Sequence, residues 1–168
     1  MTAQMTSQSH PVDAASPYQA ADELAQALAG AGKAQNSGRG DRLFSFGEAA
    51  EGVYLIVKGT ARASLPGEPG RELVSRTAGP GSVLGLPSAL CATRYQFDVV
   101  AVDAVEAVFV ETAAVNEILR RRPELCMKVM NMMCNELSAL RQTCDHMRNC
   151  AKESCSLHGS CMQAESLQ

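Results

Sequence analysis

The sequence predicts a mainly β fold with helices (α+β), in which an antiparallel sandwich or barrel is followed by one long helix. Three observations carry this reading. Between Leu43 and Val110, short β-rich segments alternate with glycine and proline separators. From Pro123 to about Cys150 there is no glycine and no further proline. The 168 residues, at 17.8 kDa, suffice for one domain core and are too few for two of ordinary size.

Residues 1–19 (MTAQMTSQSHPVDAASPYQ) are small and polar, hold two prolines and lack a period. Such a stretch cannot offset the entropy of its own ordering, so a flexible tail is expected. The main domain spans 20–122. It opens with a short helix over Ala20 to Leu28, where Leu24, Ala27 and Leu28 share a face before Gly30 and Gly32. Residues 33–41 (KAQNSGRGD) read as a turn-rich connection.

Extended segments follow at Val53–Val57, Thr60–Leu65, Glu72–Thr77, Ser82–Leu84, Phe97–Val102 and Val105–Val110. Several short strands with no helix between them indicate antiparallel pairing. Ala61, Ala63 and Leu65 alternate with Thr60, Arg62 and Ser64, the period of a half-buried strand. The 99–110 region is more continuously apolar, which suits strands covered on both faces and paired through a tight turn at Asp103-Ala104. Thr112 is placed to cap a helix over TAAVNEILRRR, whose terminal arginines suit the negative end of the dipole. Pro123 ends it and can open the next helix.

The long helix, 123–150, runs roughly 40 Å over ~28 residues. Cys126, Met130, Met133, Leu137, Leu140, Cys144 and Met147 are spaced 4, 3, 4, 3, 4 and 3 apart, an a/d heptad stripe. A helix packed only on its own domain needs a 3.6-residue face, which drifts ~20° per heptad from such a stripe. A homodimer through this helix is therefore expected, with an ordinary core-facing helix as the alternative. Leu125, Val129 and Met132 form a second stripe suited to face the barrel while the first meets a partner. Methionine and cysteine make the first half of the seam soft. Residues 151–168 are polar, cysteine-rich and expected to be irregular.

The run GDRLFSFGEAAEGVYLIVKGTA at 40–61 resembles the opening of a cyclic-nucleotide-binding domain of the kind found in catabolite-activator and FNR-like regulators. The run GPGSVLG at 79–85 is similar to the approach to that family's phosphate-binding cassette. The resemblance spans about 40–150 and implies a β-roll or jelly roll with short flanking helices and a long C-terminal dimerisation helix. It also implies effector-binding candidates at Gly85, Leu86, Ser88, Arg94, Tyr95 and Gln96.

In that family backbone amides and a helix N-terminus hold the phosphate, an acid after the second glycine holds the ribose and an arginine answers the charge. Here Leu86 stands at the acid's place, and Pro87 removes an amide donor. The family's spacing puts Tyr95 at the arginine position, with Arg94 beside it and Gln96 where a hydroxyl would contact phosphate. Asp98 would repel a phosphate unless paired with Arg94. Three readings stay open: a cyclic nucleotide, another and less polar small effector, or an unliganded structural barrel. The family's DNA-reading members carry a winged helix-turn-helix after the dimer helix. Only 18 residues follow Cys150, so no direct DNA binding is expected.

Of seven cysteines, Cys144, Cys150, Cys155 and Cys161 gather near the end with His146 and His158. Four thiolates would suit zinc or an iron–sulfur cluster, none of the pairs having the two-residue spacing of common zinc knuckles. Cys144 in a parallel dimer would face its own mate, which makes an interchain disulfide accessible, and free thiols are the third reading. Cys91, Cys126 and Cys134 are expected to be buried fillers.

A net charge of −3 and a pI near 5.6 speak against a nucleic-acid binder. The longest apolar stretch, Val99 to Val110, is broken by Asp103 and Glu106 and falls short of the ~20 residues that span a bilayer. With no signal-peptide pattern, the cytoplasm is the expected compartment. No P-loop, GxSxG or HExxH occurs and the histidines lie at 10, 146 and 158, outside the barrel, so no enzyme is expected. The expected function is a stand-alone regulatory domain that senses an effector and signals through dimerisation or a partner protein. The alternative is a metal or thiol redox sensor built on the C-terminal cysteines.

Overall fold

The computed structural model describes residues 16–66 and 72–157. Its elements are α1 (Asp22–Ala29), β1 (Lys33–Ser37), β2 (Arg42–Phe44), β3 (Gly52–Lys58), β4 (Ala61–Pro66), β5 (Glu72–Ala78) and β6 (Val83–Leu84). They continue as α2 (Leu86–Leu90), β7 (Asp98–Ala101), β8 (Val105–Glu111), α3 (Thr112–Arg121) and α4 (Glu124–Leu157). The strands form two antiparallel four-stranded sheets, ordered β1-β8-β3-β6 and β2-β7-β4-β5. This is the expected α+β roll with flanking helices and a long C-terminal helix.

The VYLIV run of β3 is apolar throughout because both of its faces are covered. Tyr54 and Ile56 point into the roll with Phe44, Ala63, Leu84, Val99 and Ala107. Val53 and Leu55 point the other way, into a second core with Leu24 and Leu28 of α1, Leu86 of α2, Val115 of α3 and Leu125 and Val129 of α4. One sheet is thus shared between two cores. Strand β8 divides in the same way, with Val105 and Ala107 inward and Val110 toward the helices.

Several expectations are corrected. Strands β7 and β8 do not pair; the chain turns a corner at 102–104 and passes from one sheet to the other. The corner is fixed by the neighbouring turn, where the Thr60 N–H donates to Asp103 Oδ1 at 2.7 Å and the Val102 N–H donates to the Thr60 carbonyl at 2.8 Å. Residues 33–37 form edge strand β1, in register from Lys33 opposite Phe109 to Ser37 opposite Val105. Its residues are almost all exposed, so no apolar alternation betrays it. A helix, α2, does interrupt the strands.

Residues 16–19 are packed: Tyr18 is buried and its carbonyl accepts from the Val83 N–H at 2.8 Å. The rest of the expected tail, 1–15, lies outside the described residues. Thr112 is the first helical residue of α3 and not its cap; its hydroxyl donates to the Ala50 carbonyl at 3.4 Å. The arginines at the end of α3 are solvated, Arg120 and Arg121 pairing with Glu117 and Arg122 with Glu124.

Helix α4 extends seven residues beyond Cys150, to Leu157, and 158–168 lie outside the described residues. Its 34 residues span about 51 Å. Leu125, Val129 and Met132 are buried against the domain, as the second stripe requires. Cys126, Met130 and Leu137 of the heptad stripe are exposed, as is Met127. Cys91, Cys126 and Cys134 are exposed rather than buried fillers. Among the described residues no helix is long and apolar enough to cross a membrane.

A candidate effector cavity between the roll and the long helix

Strand β6 runs into Gly85, whose φ of +84° lies in the left-handed region that favours glycine. A Cβ at Gly85 would lie 2.8 Å from Tyr95 Cε1, so the ring occupies the space a larger residue would need. Tyr95 is held there from three sides. Its hydroxyl donates to the Gly52 carbonyl at 2.8 Å, its N–H donates to the Glu48 carbonyl at 2.8 Å, and its ring stacks on Phe44 with centroids 3.9 Å apart. Burial, with Tyr54 close by, pushes its hydroxyl up to about 12, so it stays neutral.

Beside Tyr95 lies a cavity of about 210 Å³. The roll contributes Phe44, Ala63, Leu84, Gly85, Val99 and Tyr95, the α2 turn contributes Pro87 and Ser88, and α4 closes it with Met133, Glu136, Leu137 and Leu140. Tyr18 and Gln96 complete the lining with Phe97. Burial raises the Tyr18 hydroxyl to about 12, with Glu136 adding to the rise and Arg76 opposing it.

The sequence-derived candidates separate. Gly85, Ser88, Tyr95 and Gln96 line the cavity. Leu86 is fully buried in the helix-side core and takes no part in the lining, so the apolar character of the cavity comes from Leu84, Val99 and the rings instead. Arg94 turns outward: Nη1 donates to the Gly47 carbonyl at 2.7 Å, and the side chain borders an open groove with Phe46 and Ala92 that adjoins the cavity at Tyr95 and Gln96. Asp98 does not pair with Arg94; its Oδ1 accepts from the Phe46 N–H at 2.9 Å and lies 3.6 Å from Arg42.

Sequence reasoning misses three residues. Glu136 continues the domain-facing stripe of α4 after Leu125, Val129 and Met132, and a carboxylate on that stripe is the available signal. Burial alone raises its carboxyl above the ordinary range. Arg76 reaches across from β5, its Nη2 donating to the Ala139 carbonyl at 2.7 Å and to Thr143 Oγ1. Its Nε is buried without a partner. Tyr18 is hidden in an otherwise polar segment.

Of the four tail cysteines, Cys144 is exposed on α4, Cys150 and Cys155 fall on helical positions whose side chains are not described, and Cys161 lies outside the described residues. Among the described residues no group of three His, Cys, Asp or Glu could hold a metal ion.

A model of the cyclic nucleotide-binding domain matches residues 35–122. Among solved structures, the catabolite activator protein of Thermus thermophilus superposes with a TM-score of 0.66 at 20% identity, covering 76% of this chain and 60% of that one. The N-terminal domain of a transcriptional regulator from Streptomyces coelicolor A3(2) gives 0.54 at 22%, covering 74% of this chain and 87% of that one. Oxidized CprK in complex with o-chlorophenolacetic acid gives 0.64 at 14%, covering 79% and 55%. Among curated proteins none matches the sequence.

Proposed function

This chain belongs to the cyclic nucleotide-binding domain family, and from that premise we propose that it is a regulatory domain that takes a small effector between its roll and α4. The observation that carries this is the composite wall of the cavity, in which Phe44 and Tyr95 of the roll face Met133, Glu136 and Leu140 of α4. A molecule seated there touches both bodies. If it fits one helix position better than another, it shifts the population toward that position by the difference in affinity.

The output surface is the exposed part of the heptad stripe, Cys126, Met130, Leu137 and Cys144, while Met133 and Leu140 of the same stripe turn toward the cavity. Met130 and Leu137 sit on the same helix as the cavity wall, and Leu137 belongs to both. We assign this stripe to a homodimer, with a partner protein as the other acceptor of the signal. A cytoplasmic protein without its own DNA contact fits the acidic charge and the solvated arginines of α3. Regulation suits the cavity better than catalysis, since its lining offers Ser88 no histidine base. The complex of CprK with o-chlorophenolacetic acid, a small aromatic acid, supports a single-ring effector in a fold of this kind.

Methionine-methyl NMR tests the coupling. An effector should shift the Met133 signal in the cavity and the Met130 signal on the outer stripe together. A ligand that binds stoichiometrically and moves neither would remove the reading.

A further inference from the structure

The chemistry of the cavity narrows its occupant, an inference that rests on the reading of this cavity as the effector site. Among its lining residues there is no lysine, arginine or histidine, and the one carboxylate is Glu136. Glu136 has no hydrogen-bond or ion-pair partner among the described residues. Neither neighbouring guanidinium is among the lining residues: Arg94 donates to the Gly47 carbonyl outside the cavity, and Arg76 spends its Nη2 on Ala139 and Thr143, its Nε staying buried without a partner behind Tyr18. A half-buried carboxylate without a partner is costly, and a ligand that brings a cation or a donor supplies what the fold leaves out. A cyclic phosphate or any other anion would meet the like charge of Glu136 in a lining that itself holds no cation.

Size and shape point the same way. A cavity of ~150 Å³ holds one benzene ring. The present one, about 210 Å³, matches one ring and a short substituent. Phe44 and Tyr95 form a rigid aromatic wall, stacked 3.9 Å apart, and Tyr95 fills the space over Gly85 at the start of α2. Aromatic faces attract both flat rings and cations.

We propose that the cavity binds a single-ring aromatic amine, its protonated nitrogen on the Glu136 carboxylate and its ring against the Phe44–Tyr95 wall. The discriminating experiment uses probes of one size and three charges: benzylamine, benzyl alcohol and benzoate, with cyclic AMP alongside. Binding to the full chain is followed by calorimetry and located by the Met133 methyl signal.

Benzylamine should bind at least tenfold more tightly than benzoate or cyclic AMP. Glu136→Gln should weaken benzylamine about tenfold while leaving benzyl alcohol within about twofold. Benzoate or cyclic AMP binding more tightly than benzylamine, with Met133 shifting, would overturn the charge assignment and leave the effector cavity standing. Benzylamine binding that ignores Glu136→Gln would overturn the role of that carboxylate. Failure of all four probes to move Met133 would take down both the assignment and the reading beneath it. The charge series on the native chain decides the matter even if the variant does not fold.

Discussion

Glu136 is held in its burial-raised state by its place between α4 and the roll, which makes it a source of pH-dependent stability. A carboxyl whose pKa is higher folded than unfolded contributes stability below its unfolded pKa and loses it as pH rises through the folded value. Glu136→Gln should therefore raise Tm at pH 7 to 8, and the gain over the native chain should shrink to nothing by about pH 4. A constant gain across that range would mean that burial is not the cause. Tyr95→Phe keeps the ring on Phe44 but leaves the Gly52 carbonyl without its donor, a loss of about 1 kcal/mol that a denaturant titration would register. The spacing after Gly85 singles out Tyr95, which lines the candidate cavity. What it cannot tell is the direction of Arg94. Adjacent residues of extended chain face opposite ways, so a tyrosine turned inward sends its neighbour out.

Elements with a repeating apolar pattern are legible in the sequence, and those shaped by a neighbour are not. β3, β4 and β8 announce themselves by composition and punctuation. β1 does not, because an exposed edge strand is defined by its ladder to β8 and not by burial. The corner at 102–104 reads as a hairpin turn because Asp103 looks like a turn residue, whereas its carboxylate in fact serves the Thr60 turn. On α4 both stripes can be read, and the structure buries the one that faces the domain. Leu125→Ala, at 1% exposure, should cost about 2–5 kcal/mol in an unfolding titration. The same change at Met130, which is 55% exposed, should leave the isolated domain within about ±0.5 kcal/mol. Equal losses at the two positions would contradict this division of the helix.

At the level of the whole molecule, the exposed residues of α4 are where the proposed association is tested. Met127, Met130 and Leu137 are each more than half exposed, along one segment of a single rod. Equilibrium sedimentation should find a dimer at micromolar concentration, and Met130→Lys, remote from the cavity lining, should dissociate it while preserving the fold by circular dichroism. A native monomer at that concentration would refute the assignment. The overall architecture is readable because glycine spacing and heptad spacing are local signals. The cavity is not, because it lies between elements far apart in the chain and depends on Tyr18, Glu136 and Arg76, which no motif links.

Arg76 grips α4 at Ala139 and Thr143, just past the level of Glu136. If α4 pivots at that grip, Thr143 divides it into two unequal arms. The arm toward Glu136 is about 10 Å long and the arm toward Leu157 about 21 Å, taking the rise per helical residue. Any tilt imposed at the short arm would swing the far end of the rod roughly twice as far, in the opposite sense.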